Sequence, residues 1–388
     1  MSKVFVNKKG ARRIRGGHLW IYRSDVVRAE AEGGAVVSVY DEARNFVGKA
    51  FYSDSSEITL RIFTTKDEVV DRTFWKTRIA EAARRRATKG EEQRTNAQRL
   101  IYSEGDLIPS LIVDDYAGVF VVQTLSQGTE KLKETFAEIL REEFEPRAII
   151  ERNDVKVRQR ENLEMKTGVL YGEAPDEIVI NQDGVKFYVS PLGGQKTGSF
   201  LDQRENHAAM RRHAFGRGLD CFTFNGGFAL NLAGACESVL AVDISEDALN
   251  LARRNAQLNE ISNIRFQTAN VFDALRDFEA RGEKFDTVVL DPPAFVKSRA
   301  VLKSAARGYK EINLRALKLL NKNGVLATCS CSFHMTEDLF LETIEEAARD
   351  ARRRVHLIEK RAQSADHPVL VGMPETYYLK CFILRAVD

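Results

Sequence analysis

The 388-residue sequence predicts an α/β fold built on a doubly wound parallel sheet, preceded by a small β-barrel and an α+β region. Three observations carry this. From about residue 186, short apolar runs alternate with amphipathic helical stretches, the pattern of a parallel sheet covered on both faces. Residues 1–67 instead carry period-2 runs separated by Gly and Asp–Ser breaks. Residues 68–185 mix strands and helices without regular alternation. The domain boundaries therefore read as 1–67, 68–185 and 186–388.

In the first region, GAVVSVYD, FVGKAFYS and EITLRIFT read as strands separated by turns. A helix follows at about 68–88, with Val69, Val70, Phe74, Trp75 and Ile79 on an apolar side and Arg84 to Arg86 as a basic end. ATKGEEQRTNAQR is polar and turn-rich, hence an exposed loop. LIYSE, SLIVDDYAG and VFVVQTL read as strands with a turn at Gly118, 128–144 as an amphipathic helix, and AIIERN and GVKFYVSP as further strands. Thereafter LDCF leads into GGFALNLAGA, SVLAVD into SEDALNLARRNAQLN, IRFQTA into NVFDALRDFEA, and TVVLDPP into a helix ending near 321. GVLATCSCS precedes the helix MTEDLFLETIEEAARDA, with Thr336 as its N-cap; RVHLIEK and TYYLKCFILRA follow. Right-handed crossovers place the parallel strands' carboxyl ends on one edge, where ligands bind.

Composition narrows the function classes. With 44% hydrophobic and 29% charged residues, the chain is that of a soluble globular protein. No stretch approaches the roughly 20 apolar residues that span a bilayer. The start, MSKVFVNKKGARR, lacks the apolar core of a secretory signal, so a cytoplasmic location is expected. The 5 cysteines form neither a C-x-x-C pair nor a zinc spacing, which fits a reducing compartment and no metal site. The net charge is only +2, yet residues 1–28 hold eight basic side chains against one acid. Arg12, Arg13 and Arg15 lie there beside His18, Trp20 and Tyr22, as in an RNA-contact surface. A solvated face with Trp20 in a small core is the alternative.

The motifs with chemistry sit at strand ends. In DCFTFNGGF (220–228), Gly226 and Gly227 open a helix and allow close approach to backbone. Asp243, ending the next strand, is placed to accept hydrogen bonds from ribose hydroxyls. These two motifs leave a dinucleotide and S-adenosylmethionine both open. Asp291-Pro292-Pro293-Ala294-Phe295 aims a carboxylate from a rigid turn, able to meet an amide-like edge such as cytosine N3/N4. Cys331, in TCSCS before a helix start, is the soft nucleophile. A thiolate beside Asp291 is the pair needed to methylate a pyrimidine at C5, because that carbon becomes nucleophilic only after a thiol adds to C6. Cys329 lies deeper in its strand and reads as core.

Taken in order, GGQKTGSFLDQREN, DCFTFNGGF, AVDIS, DPPAF, RGYKEINLRAL, SCS and ADHPV…PETYYLK resemble the bacterial 23S rRNA 5-cytosine methyltransferase I family. GGHLWIYRSDV is similar to that family's PUA domain, an RNA-binding barrel, and RLIYSEGDLIPSLIVDDYAG to its central α+β domain. The resemblance thus spans essentially the whole chain. It implies a class I, Rossmann-like methyltransferase domain using S-adenosylmethionine, acting on 23S rRNA or a large-subunit precursor as a homodimer. It assigns Cys331 as nucleophile and Asp291 as partner of the cytosine ring. Phe222, Gly226, Gly227 and Asp243 would hold the cofactor, together with Asp291 and Gln203. Lys196, Thr197, Asp202, Gln203 and Arg204 would line the cleft, with Lys196 and Arg204 on the RNA side alongside Arg12, Arg13, Arg15 and Trp20.

Three departures accompany the resemblance. Asn270 stands where an acid commonly meets the adenine, Asn225 replaces a frequent Thr, and Ala294 occupies the position of the second cysteine of another 5-cytosine group. The base that removes the C5 proton is therefore open between Glu375 and water. Two other readings remain: a base N-methyltransferase, which needs no thiol and favours an aromatic directly after Pro-Pro, and a non-catalytic RNA-binding assembly factor. Nothing resembles a hydride-transfer site.

Overall fold

The computed structural model describes residues 2–87, 94–194, 197–296 and 302–388. The chain divides into two compact units, Met1–Asn181 with Val189–Leu201 and Ala365–Thr376, and Gln182–Tyr188 with Asp202–Ser364 and Tyr377–Asp388.

The first unit opens with β1 (Lys3–Val6), α1 (Lys8–Arg15), β2 (Trp20–Tyr22), β3 (Val26–Glu30), β4 (Val36–Asp41), β5 (Phe46–Tyr52) and β6 (Ile58–Thr64). The strands form one sheet in the order β2-β6-β5-β4-β1-β3. α1 interrupts the expected all-strand pattern. Asn7 caps it, its side chain accepting from Gly10 N at 2.8 Å, and Ala11 and Ile14 bury one face. With only two apolar positions, the charge pattern concealed the helix.

α2 (Arg72–Arg86) and the sheet of β7 (Ala97–Tyr102), β8 (Leu111–Tyr116), β9 (Val119–Thr124), β10 (Ala148–Arg152) and β11 (Thr167–Gly172) follow. Trp75 of α2 stacks on Phe51 at 5.3 Å and meets Phe136 edge-on at 5.5 Å, joining the two sheets in one core. The basic end of α2 is only partly solvated. Arg86 is buried and grips Asp106 with two 2.6 Å bonds, a bidentate pair that compensates its desolvation. The helix expected at 128–144 is two, α3 (Gln127–Lys131) and α4 (Lys133–Phe144), broken at Leu132. A capping box between Ser126 and Thr129 fixes the first turn independently. Of the expected loop after α2, residues 88–93 lie outside the described residues, and its end, from Ala97, is already strand β7.

The strands β12 (Ile178–Gln182) and β13 (Val185–Val189) pair with each other. The second unit contains α5 (Arg204–Arg211), β14 (Arg217–Cys221), α6 (Gly227–Ala233), β15 (Ser238–Asp243), α7 (Glu246–Leu258), β16 (Ile264–Thr268), α8 (Val271–Ala280) and β17 (Phe285–Leu290). It continues with α9 (Leu302–Leu319), β18 (Leu320–Ser330), α10 (Glu337–Asp350), β19 (Val355–Arg361) and β20 (Lys380–Ala386). The seven strands run in the order β16-β15-β14-β17-β18-β20-β19, parallel except for β20. Alternate residues feed two cores. Val288 and Leu326 face one shared with α8, α9 and α10, whereas Val289, Ala327 and Cys329 face one shared with α5 and α6. The strand order reverses between β14 and β17, so their carboxyl ends open the crevice where such sheets bind ligands.

Candidate functional site

Three carboxylates converge on this edge. Asp220, near the end of β14, is fully buried; its Oδ2 accepts from Thr223 Oγ1 at 2.6 Å and Ala229 N at 2.8 Å, and its Oδ1 has no hydrogen-bond partner among the described residues. Burial pushes this carboxyl up to about 7. Asp243, ending β15, accepts from Phe224 N and Ser245 N, both at 2.9 Å, which leaves each oxygen a second lone pair. Asp291, immediately after β17, accepts from Gln203 Nε2 at 2.9 Å. Gln203 is itself held by Asn206 at 2.6 Å.

The loop joining β14 to α6 carries the strain. Phe222, Phe224 and Gly226 have φ of 64°, 50° and 88°, and left-handed backbone at two phenylalanines persists only where surroundings enforce it. Phe224 N is pinned by Asp243, and Asn225 O accepts from Asn255 Nδ2 at 3.0 Å. Gly227 must lack a side chain for a different reason: a Cβ there would lie 2.6 Å from the His207 ring. That ring is buried against Phe228, its Nδ1 has no partner among the described residues, and burial lowers it to about 4, so it is neutral at ordinary pH. Asn270 caps α8 through Phe272 N at 2.9 Å and is exposed.

The thiol comes next. Parallel pairing sets Leu290 of β17 opposite Thr328 of β18, so Asp-Pro-Pro and Ser-Cys-Ser leave the sheet side by side. Cys331 is half-buried and donates a long contact, 4.0 Å, to the Pro292 carbonyl. The flanking serines fix the turn: Tyr309 OH lies 3.0 Å from Ser330 Oγ and 3.1 Å from Ser332 Oγ, and Ser332 Oγ accepts from Val296 N at 3.2 Å. Lys380 of β20 is buried, its ammonium 2.8 Å from both the Ser332 and Tyr378 carbonyls. Phe295 packs on Tyr309 at 4.8 Å and near Phe272 at 5.9 Å, so its ring belongs to the aromatic cluster beneath the loop. Thr336 caps α10 through Leu339 N, as the sequence suggests.

Other expected residues stand elsewhere. Asp202 accepts from Tyr378 OH at 2.6 Å in the second unit, and Arg204, buried at the start of α5, lies 3.7 Å from Glu205. Thr197 is buried in the first unit between Asp114 and Tyr116, and Lys196 lies outside the described residues. Arg13 pairs with Asp25 at 2.6 Å and Arg15 with Asp41 at 2.7 Å, while Arg12 is exposed. Trp20 donates to Glu104 at 2.9 Å and edges the small core. Glu375 belongs to the first unit and is committed to His18 at 3.2 Å. Burial raises its carboxyl, but the His18 hydrogen bond, a backbone hydrogen bond and the charges of His18 and Arg13 together bring it below the usual carboxylate range, so it is a weakened base for a carbon-bound proton. Sequence reasoning did not single out Lys380, Tyr309 or His207; the linear signals were that Lys380 ends the PETYYLK block and that Tyr309 lies in RGYKEINLRAL.

The buried, unpartnered Asp220 oxygen, the left-handed loop and the carboxylates on β15 and β17 fit a cationic ligand carrying a ribose. Comparison with known proteins agrees. Residues 110–383 match the family model described as S-adenosylmethionine-dependent methyltransferase, and residues 4–65 match a PUA-like domain. The chain is 40% identical over 395 residues to the ribosomal RNA large subunit methyltransferase I of Tolumonas auensis, covering 100% of both chains. It is 39% identical over 396 residues to the protein of the same name from Escherichia coli, again covering 100% of both. A solved Streptococcus mutans structure described as a SAM-dependent methyltransferase superposes with a TM-score of 0.85 at 21% identity, over 99% of this chain and 100% of that one. The α/β fold with its strand-rich PUA-like start is thus the expected one.

Proposed function

The chain belongs to the ribosomal RNA large subunit methyltransferase I family, and from that membership we propose that it methylates C5 of a cytosine in 23S rRNA through a transient Cys331–C6 adduct. The observation that carries the chemistry is the pairing of a half-buried Cys331 with the Asp291 turn at the carboxyl edge of adjacent strands.

S-adenosylmethionine, when bound, supplies an electrophilic methyl group. Asp243 would hold the ribose hydroxyls, and the left-handed loop from Phe222 to Gly226, with Gly227 and Asn270, would hold the rest of the cofactor. Asp291, steadied by Gln203, takes the N3/N4 edge of cytosine. The Cys331 thiolate adds to C6, which gives C5 the electron density of an enamine. Once C5 carries the methyl group, loss of the C5 proton and expulsion of the thiolate restore the aromatic ring. With Glu375 tied to His18, water is the better proton acceptor. Phe295 is packed against Tyr309 and so is poorly placed to stack a base, which disfavours the N-methyl reading.

RNA is held through the basic start of the PUA-like domain, where Lys8 and Arg12 are exposed. A large-subunit rRNA substrate places the enzyme in the cytoplasm, and no helix among the described residues is long and apolar enough to cross a membrane. Assembly as a homodimer follows the family. Bisulfite mapping of 23S rRNA from cells with and without the protein tests the reading. One protected cytosine that disappears on deletion supports it; an unchanged map rejects it.

A further inference from the structure

Lys380 is a buried cation to which the mechanism above gives no role, and its position is set by the sheet. The antiparallel register of β18 and β20 puts Lys380 opposite Ser330, one residue before Cys331. Its ammonium reaches across to the Ser332 carbonyl at 2.8 Å, one residue after Cys331, and to its own segment at Tyr378 O, also 2.8 Å. The thiol is therefore straddled by backbone anchored around one lysine that is only 1% exposed. A lysine is rarely buried so completely without a compensating partner.

We propose that Lys380 is a positioning residue that sets the charge of the nucleophile, holding Cys331 as a thiolate in an ion pair with its ammonium. This rests on the assignment of Cys331 as nucleophile. In forming the pair, the Sγ–H bond breaks and its proton passes to solvent water, the Lys380 ammonium keeps its three N–H bonds, and no redox partner is needed. After methyl transfer the thiolate leaves C6 as a thiolate, so the pair is regenerated and Lys380 needs no new proton in each cycle.

The surroundings match this role. Burial lowers the ammonium to about 8, and the nearby Cys331 and Glu337 hold it up against that effect. From α10, Glu337 is shared with Lys360 of β19 at 2.7 Å and with Tyr377 OH at 2.9 Å, so it offsets the lysine only in part. From α9, Tyr309 presents a neutral hydroxyl, and burial beside Cys331 raises it further. The acids on neighbouring segments are engaged: Asp291 accepts from Gln203, and Asp202 from Tyr378. The Pro292 carbonyl favours the neutral thiol, but at 4.0 Å only weakly. The other four cysteines are all buried, so labelling can be read at Cys331.

The test is iodoacetamide alkylation of Cys331 in the full-length protein without RNA, from about pH 5 to about pH 10, read by peptide mass mapping. A free thiol is half-ionised near about pH 8.5. The wild-type midpoint is expected well below that. Lys380→Met, which keeps the volume and removes the charge, is expected to raise the midpoint and slow labelling at neutral pH about tenfold or more. Lys380→Arg is expected to keep the low midpoint. A wild-type midpoint at or above that of a free thiol overturns the proposal without any variant needing to fold, and an unchanged Lys380→Met profile overturns it as well. An ordinary thiol titration alongside intact Cys331-dependent methylation rejects the role of Lys380 alone. Methylation that does not need Cys331 rejects the nucleophile assignment instead.

Discussion

Cys329 and Cys331 are two residues apart, one within β18 and one just past its end, and differ completely in environment. Cys329 lies within β18, fully buried with Val289 and Ala327, and burial pushes its thiol well up. Cys331 is past the strand's last ladder position and half-buried, so only it can meet a substrate. Cys331→Ala is therefore expected to abolish methyl transfer while S-adenosylmethionine binding, measured by calorimetry, stays within about twofold of wild type; retained turnover would contradict the assignment. The distinction was legible from strand length alone. Lys380 was not, because a lysine opening YYLKCF looks solvated until the β18–β20 pairing buries it. Asp220 carries a pH signature. Its folded carboxyl, raised to about 7, keeps a proton that the unfolded chain releases near about pH 4. It therefore weakens the fold progressively between those values and by a constant amount above them. Asp220→Asn should gain stability relative to wild type across that window, by roughly 4 kcal/mol at most. Urea melts at both ends of the window check this, and parallel curves would refute it.

Among elements, the glycine loop and α6 depend on a contact that no motif displays. The strand–loop–helix order was readable from DCFTFNGGF, but the need for Gly227 comes from His207, twenty residues earlier on α5. Gly227→Ala should displace that ring and cost about 1–3 kcal/mol, lowering both the melting temperature and cofactor affinity. Calorimetry with S-adenosylmethionine reads both; an unaltered protein would show that the ring has room. Helix starts with a side-chain cap were easier. Thr336→Ala should cost about 1 kcal/mol without touching the thiol, because it removes the acceptor for Leu339 N. α1 went unread because its two apolar residues, Ala11 and Ile14, sit among five of the first region's charges, which hide a 3.6-residue period.

For the whole molecule, the alternating strands and helices beyond residue 186 made the second unit's parallel sheet legible, since each strand is an apolar run long enough to be bounded. The return of Ala365–Thr376 to the first unit was not, because nothing in that short stretch, ADHPVLVGMPET, marks a departure. The charge asymmetry of the first 28 residues has a consequence at this scale too. Lys8→Glu with Arg12→Glu should weaken binding to an rRNA fragment and reduce the slope of log affinity against log salt by about one per lost phosphate contact, with cofactor affinity unchanged. An identical slope would move the RNA surface elsewhere. The central claim, a covalent Cys331 intermediate on cytosine, is tested most directly by incubating the enzyme and S-adenosylmethionine with rRNA containing 5-fluorocytosine, where the C5 substituent cannot leave as a proton. Mass mapping should find the RNA attached to the Cys331 peptide in wild type and to no peptide in Cys331→Ala; methylated RNA without any attachment in the wild type would contradict it.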